Sequence, residues 1–274
     1  MALYMNFALA NNLYLCRMFI DTHTHLYLEE FDPDREDTIR RSISSGTLKM
    51  LLPNIDSSSW DSMLQLCKQF PNNCFPMAGL HPTSVKAGSV EDELKKVEEM
   101  LESEGFVAIG EIGIDLYWDK TYLAEQKEAF RHQLHLAKKF QLPVAIHMRN
   151  SFDEIWNVLE PETGPDLKGV FHCFSGNLAQ ARQVIATGFL LGIGGVVTFK
   201  NSGLQEIVKT IGVEHLVLET DAPYLAPSPY RGQRNESSYI PLIAAKIADI
   251  SGRPLQEVAA ITTSNANNLF KFGI

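Results

Sequence analysis

No apolar run in the 274 residues approaches the roughly 20 needed to cross a bilayer as a helix. A soluble globular protein is therefore expected. Cysteine is scarce: Cys16, Cys67, Cys74 and Cys173 form no CxxC pair. That argues against a secreted disulfide scaffold and for reduced thiols in a cytoplasmic protein. Basic charge is not in excess, since 24 Lys+Arg stand against 33 Asp+Glu for a net charge of −9, with no long block of one sign. A generally basic nucleic-acid coat is excluded, because such proteins draw affinity from widely spread cations. An enzyme that needs positive charge only where a phosphate sits is not. No Gly-, Ser- or Pro-rich linker divides the chain, and no internal repeat is visible. No GxGxxG turn follows the first apolar run either, which counts against a doubly wound open sheet.

The hydrophobic content of 45% is ample for one large core, and a chain of this size buries about 75% of its unfolded surface. The first seventeen residues, MALYMNFALANNLYLCR, stand apart. Ala8-Leu9-Ala10 resembles a small-residue cleavage site, but no basic segment precedes it and the apolar stretch is too short for a signal peptide. Residues 1–17 are read as an extension outside the fold, and 18–274 as a single domain.

From Met18 onward, short apolar runs alternate with amphipathic ones. The expected strands are Met18–Asp21, Lys49–Asn54, Cys74–Gly79, Phe106–Gly110, Leu142–His147, Lys168–His172, Phe189–Ile193 and Leu216–Asp221. They lack long polar alternation, as strands buried on both faces of a parallel sheet do. Their ends recur every 29 residues or so, about the length of one strand–helix unit. Between them, Glu91–Glu104 sets Leu94, Val97 and Leu101 on one stripe with charges elsewhere, an outer-helix pattern. Leu123–Phe140, Pro241–Ile250 and Pro254–Leu269 read as further helices. Eight such units in one uninterrupted domain predict an α/β fold of the (β/α)8 TIM-barrel type.

Active sites of such barrels lie at the C-terminal ends of the strands. The polar residues out of place in these apolar runs sit there: His23 and His25 after the first, Glu111 after the fourth, His147 after the fifth, His172 after the sixth and Asp221 after the eighth. Four imidazoles and two carboxylates form a mixed nitrogen and oxygen shell suited to a divalent ion such as Zn²⁺ or Mn²⁺. Two-residue spacing puts His23 and His25 on one side of an extended segment. A lone HxH signals little, and a single His ending a strand is ordinarily a hydrogen-bonded core residue. Glu111 and Asp221 weigh more, because an unpaired charge closing an apolar strand is costly to bury.

These residues sit in longer stretches: FIDTHTHL, Gly79-Leu80-His81-Pro82, GEIGID, His147-Met148-Arg149, FHCFSG, Glu219-Thr220-Asp221-Ala222-Pro223-Tyr224, Pro229-Tyr230-Arg231-Gly232 and Arg234-Asn235-Glu236. In them the chain resembles the TatD family of metal-dependent hydrolases, usually described as deoxyribonucleases, from Met18 to Phe270. Ile114 stands where Leu is usual and Ser237 where Pro is expected. The resemblance implies metal ligands at His23, His25, Glu111, His147, His172 and Asp221. His23 and His25 would hold one ion, His147 and His172 a second, and Glu111 would bridge them. Asp221 would complete the first site and orient the attacking water or take its proton. Two divalent ions (Mg²⁺, Mn²⁺ or Zn²⁺) roughly 3.5–4 Å apart generate hydroxide at neutral pH and clamp an in-line displacement. With Glu111, Asp221 and hydroxide the site would carry about +1, favouring an anionic phosphodiester.

Around that centre, His81 is expected near the pocket, contacting phosphate or a further ion, with a turn-stabilising imidazole as the alternative. Arg149, Lys200, Arg231 and Arg234 follow the same strand ends, where guanidinium groups bind phosphate bidentately; solvated surface is the other reading, most of all for Lys200 and Arg234. Tyr117, Trp118 and Tyr224 are candidates for stacking on unpaired bases, or for ordinary packing at the barrel mouth. His132 and His135 are read as outer-helix surface, and His215 lies at the wrong end of its strand. Cys173 should point away from the pocket by strand alternation. The expected enzyme is a monomeric, cytoplasmic DNase with no membrane partner, trimming single-stranded or frayed DNA, with 3′–5′ polarity implied by the resemblance alone. A related amidohydrolase acting on a cyclic amide, lactone or ester, including an aminoacyl–tRNA ester, stays open. Many such enzymes bridge their metals with a carboxylated Lys, and none ends the fourth strand here. A barrel that binds metal or nucleic acid without turnover is the third reading.

Overall fold

The computed structural model describes residues 18–103 and 105–273. The expected extension at 1–17 therefore lies outside the described residues, as does Glu104 at the end of one expected helix. Eight strands form one parallel sheet in chain order: β1 Phe19–Asp21, β2 Thr47–Pro53, β3 Cys74–Ala78, β4 Ala108–Asp115, β5 Val144–Arg149, β6 Gly169–Phe171, β7 Leu190–Ile193 and β8 Leu216–Leu218. The sheet curls until β8 meets β1. Past the strand ends the Thr22 N–H donates to the Leu218 carbonyl (3.0 Å), the Asp221 N–H to His23 (2.9 Å) and the His25 N–H to Ala222 (2.7 Å). The result is a nearly closed (β/α)8 barrel in a single domain.

Its helices are α1 Arg35–Ser44, α2 Trp60–Gln69, α3 Val90–Leu101, α4 Leu123–Phe140, α5 Phe152–Leu159, α6 Leu178–Ala186, α7 Leu204–Ile211, α8 Ile240–Ser251 and α9 Leu255–Phe270. On α3 the predicted stripe packs inward, with Val97 and Leu101 buried and Leu94 partly so. Two apolar layers follow from strand alternation. Ile20, Leu51, Met77, Ala108, Ala145, Val170 and Val217, one from each of seven strands, fill the barrel interior with Ala266 and Phe270 of the last helix. Side chains pointing the other way, such as Ile112 and Ile114, pack under the helices. Among the described residues no helix is long and apolar enough to cross a membrane.

Among the strand boundaries that differ from the sequence reading, two bear directly on the site. The fourth strand does not stop before Glu111 but runs on to Asp115. Its apolar residues Ile112 and Ile114 face the helices, so the alternate residues Glu111 and Asp115 reach the interior of the mouth. The eighth stops at Leu218, and Asp221 adopts a left-handed backbone (φ 56°) in the loop beyond.

Candidate metal centre

Glu111 is the hub. Its Oε2 lies 3.1 Å from His23 Nε2 and 3.6 Å from His25 Nε2, while Oε1 lies 2.6 Å from His147 Nδ1, 3.2 Å from His81 Nε2 and 3.7 Å from His172 Nε2. Five imidazoles from four strand ends thus surround one buried carboxylate, divided between its two oxygens. Burial alone would raise its pKa. The charges of His81, His23 and His172 and the His147 hydrogen bond outweigh this and hold the carboxyl well below its ordinary range. Asp221 Oδ1 faces the same cluster, 3.6 Å from His25, 3.8 Å from His172 and 4.0 Å from His23.

Each imidazole is set by a neighbour. The Tyr27 hydroxyl donates to the Pro53 carbonyl (2.6 Å) and so must accept at its 3.0 Å contact with His25 Nδ1. The His25 proton therefore sits on Nδ1, leaving the Nε2 lone pair facing Glu111 and Asp221. Arg35 braces this loop by donating to the carbonyls of Leu26, Tyr27 and Leu28. His23 and His172 stack with centroids 3.4 Å apart and planes 16° apart. Burial, followed by the neighbouring His172 charge, lowers His23 to about 4. His172 Nδ1 lies 3.1 Å from Glu219 Oε1. Burial pulls His172 down, but Glu219, Glu111 and Asp221 together raise it to about 10. Asp21 ties the two ends of the seam. Its Oδ1 accepts the backbone N–H groups of His23 (3.3 Å) and Thr220 (3.0 Å), and its Oδ2 the Thr220 hydroxyl (2.6 Å).

His147 is turned by Asp115, whose Oδ2 lies 2.8 Å from His147 Nε2 while Nδ1 faces Glu111. Burial lowers its pKa, yet the hydrogen bonds to Asp115 and Glu111 raise it to about 9. This orientation regroups the expected ligands. Donor atoms within 4.8 Å of one another come from His23, His25 and Asp221; from His23, Glu111 and His172; and from His81, Glu111 and His147. His147 and His172, expected to share an ion, fall in separate groups joined by Glu111. His81, placed nearby by the sequence, stands among the donors, and its Nδ1 accepts the Thr83 N–H (3.1 Å). The fit to metal is supported by the donor set itself: the Nε2 atoms of His23, His25, His81 and His172 all lie within 3.7 Å of a Glu111 oxygen. Imidazole and carboxylate donors in this mixture suit divalent first-row ions.

Cys173 corrects an expectation. Its sulfur lies within 4.8 Å of donor atoms of His172 and Glu219. β6 ends at Phe171 and Cys173 has φ 45°, so strand alternation no longer governs its direction. Arg234 is also committed elsewhere: it donates to both Asp34 oxygens (2.7 and 2.9 Å) and to the Glu30 carbonyl (2.7 Å). Arg149 and Arg231 form no ion pair among the described residues; they lie over the rings of Tyr117 (3.8 Å) and Phe199 (4.5 Å). Tyr224 is half exposed with its ring 6.4 Å from His25. Lys200 and Arg231 share a 610 Å³ groove with Phe199, Asn201, Ser202 and Ser228. His135 points outward to Glu162, as outer surface. Sequence reasoning missed Asp115, Glu219 and Tyr27. Asp115 was within reach of it, lying four residues after Glu111 on the same strand.

A parallel barrel whose C-terminal mouth gathers imidazoles around a shared carboxylate defines a metal-dependent hydrolase. The family described as TatD related DNase matches residues 20–271. The chain is 36% identical over 255 residues to the uncharacterized metal-dependent hydrolase YabD of Bacillus subtilis, covering 93% of this chain and 99% of that one. It is 34% identical over 257 residues to the 3′-5′ ssDNA/RNA exonuclease TatD of Erwinia amylovora, covering 91% and 98%. The crystal structure of the TatD homologue YjjV from Escherichia coli superposes with a TM-score of 0.87 at 30% identity, covering 94% and 99%. The chain belongs to the TatD family of metal-dependent hydrolases.

Proposed function

We propose that this protein hydrolyses phosphodiester bonds of single-stranded nucleic acid, trimming from the 3′ end, with two divalent ions. The observation that carries the reading is Glu111, whose two oxygens face different imidazole sets, as a bridging carboxylate requires. His23, His25 and Asp221 would hold one ion; His172 and His147 would serve the other side of Glu111, with His81 beside them. Bound there, the ions supply Lewis-acid charge and a water nucleophilic at neutral pH.

The side chains do the rest. Asp221, partly open to the mouth, orients the attacking water and takes its proton. Glu219 and Tyr27 hold His172 and His25 in place. Arg149 and Arg231 meet the substrate's phosphates, and Tyr224 covers the mouth above His25. The relatives described as ssDNA/RNA exonucleases motivate the polarity and the substrate. The unpaired thiols of Cys67, Cys74 and Cys173 support a reducing, cytoplasmic setting.

The test is metal-stripped protein with end-labelled single-stranded DNA or RNA, with Mg²⁺, Mn²⁺ or Zn²⁺ restored and a Glu111→Ala control. Metal-dependent shortening from the 3′ end, absent in the control, is expected. Intact strands under every metal would overturn the nuclease reading and turn attention to amide and ester substrates.

A further inference from the structure

Trp118 is 69% exposed and Tyr117 55%, the two most exposed large apolar side chains among the described residues. Both lie on the loop that leaves β4 at the barrel mouth. Their rings meet edge to face with centroids 5.0 Å apart, and the Arg149 guanidinium lies 3.8 Å from the Tyr117 centroid and 5.3 Å from that of Trp118. Side chains this exposed are not packing a lid, yet their backbone is firmly held. The N–H groups of Tyr117 and Trp118 both donate to Asp115 Oδ1 at 2.9 Å. The other oxygen of that carboxylate contacts His147, a donor of the metal centre. Arg149 stands two residues beyond His147 on β5, roughly 7 Å along the strand. One carboxylate and one strand thus fix this aromatic and cationic surface at a set distance from the metal centre.

We propose that the Tyr117–Trp118–Arg149 surface seats an unpaired nucleobase of the substrate strand, an inference that rests on the nuclease reading above. A free π-face beside a cation without an ion pair matches a ligand that is both aromatic and anionic, and a nucleotide is both. Asp115 acts as a positioning residue, holding the seat in register with His147. Stacking requires a base free of its partner, so the surface selects single-stranded or frayed ends over intact duplex.

The experiment compares a 12-mer of oligothymidylate with an abasic strand of the same length, digested by the metal-loaded full chain. Base stacking predicts that the wild type prefers oligothymidylate by roughly 5- to 100-fold in kcat/KM. Trp118→Ala should bring that ratio close to one by slowing only the base-bearing strand, and Trp118→Phe should largely keep it. Digestion of both strands by the wild type with an unchanged ratio in Trp118→Ala would overturn the seat and leave the nuclease reading standing. Equal loss on both strands in Trp118→Ala would make the role structural and also overturn it. If the wild type cuts neither strand under any metal, both readings fall together.

Discussion

Gly192 of β7 lies so close to Glu219 that a Cβ on it would overlap the carboxylate. The absence of a side chain there makes room for the buried acid that stands 3.1 Å from His172 Nδ1. Gly192→Ala should therefore displace Glu219 and loosen His172 while leaving the metal donors themselves unchanged. Neighbours of metal ligands typically carry 10- to 100-fold in metal affinity. A loss of about that size is expected by calorimetric titration, in Gly192→Ala and in Glu219→Gln alike. Wild-type affinity in both variants would remove Glu219 from the account of the site.

Metal binding should expel protons. In the metal-free protein His147 rises to about 9 and His172 to about 10, so both imidazoles are protonated at neutral pH. A metal ligand must be neutral imidazole, so affinity should climb as pH rises toward those values and fall in acid. The folding consequence has the same origin. Raised folded-state values stabilise the metal-free protein below the unfolded value of 6.5, and this contribution fades as pH rises through about 9 to 10. Calorimetry at pH 7.5 in buffers of different ionisation enthalpy should show net proton release on metal addition. A heat independent of buffer would contradict the protonation assigned here.

Asp221 lies at ion-pair distance from three imidazoles, yet its side chain retains some exposure to the mouth. If it takes the proton of the attacking water, Asp221→Asn should lower kcat by about 10²- to 10⁴-fold. Metal content measured by elemental analysis separates this from simple loss of an ion. A variant that keeps its metals and near-normal turnover would refute the assignment.

Arg231 and Arg234 are three residues apart and should behave oppositely. Arg231 lies over Phe199 in the groove with Lys200, whereas Arg234 is held by Asp34. Arg231→Ala should weaken binding of single-stranded DNA and reduce the slope of log affinity against log salt by about 1. Arg234→Ala should leave that slope unchanged and instead release Asp34, whose carboxyl Arg234 holds well below the usual range. Equal effects of the two substitutions on the salt slope would show that the groove does not contact phosphate.

Much of the site was legible because buried parallel strands leave few reasons for a charged residue at their ends. His23, His25, Glu111, His147, His172 and Asp221 stood out on that ground, and the fold brings all six to one mouth. The residues that orient them were harder to find. Tyr27, Asp115 and Glu219 look ordinary in sequence, and their roles depend on partners 26 to 47 positions away, such as Pro53, His147 and His172.

The order and spacing of apolar runs determined the barrel by themselves, since a 29-residue alternation of strand and helix has few ways to close on one core. The identity of the polar residues at the strand ends determined that the mouth would gather metal donors. Which donors stand together was decided only in three dimensions. Asp115 turns His147 so that its Nδ1 faces Glu111, because a buried imidazole follows the carboxylates that satisfy both its nitrogens. Tertiary structure likewise separated Arg231 from Arg234 and turned Cys173 toward Glu219, since neither pairing nor backbone handedness is written in a residue's own type.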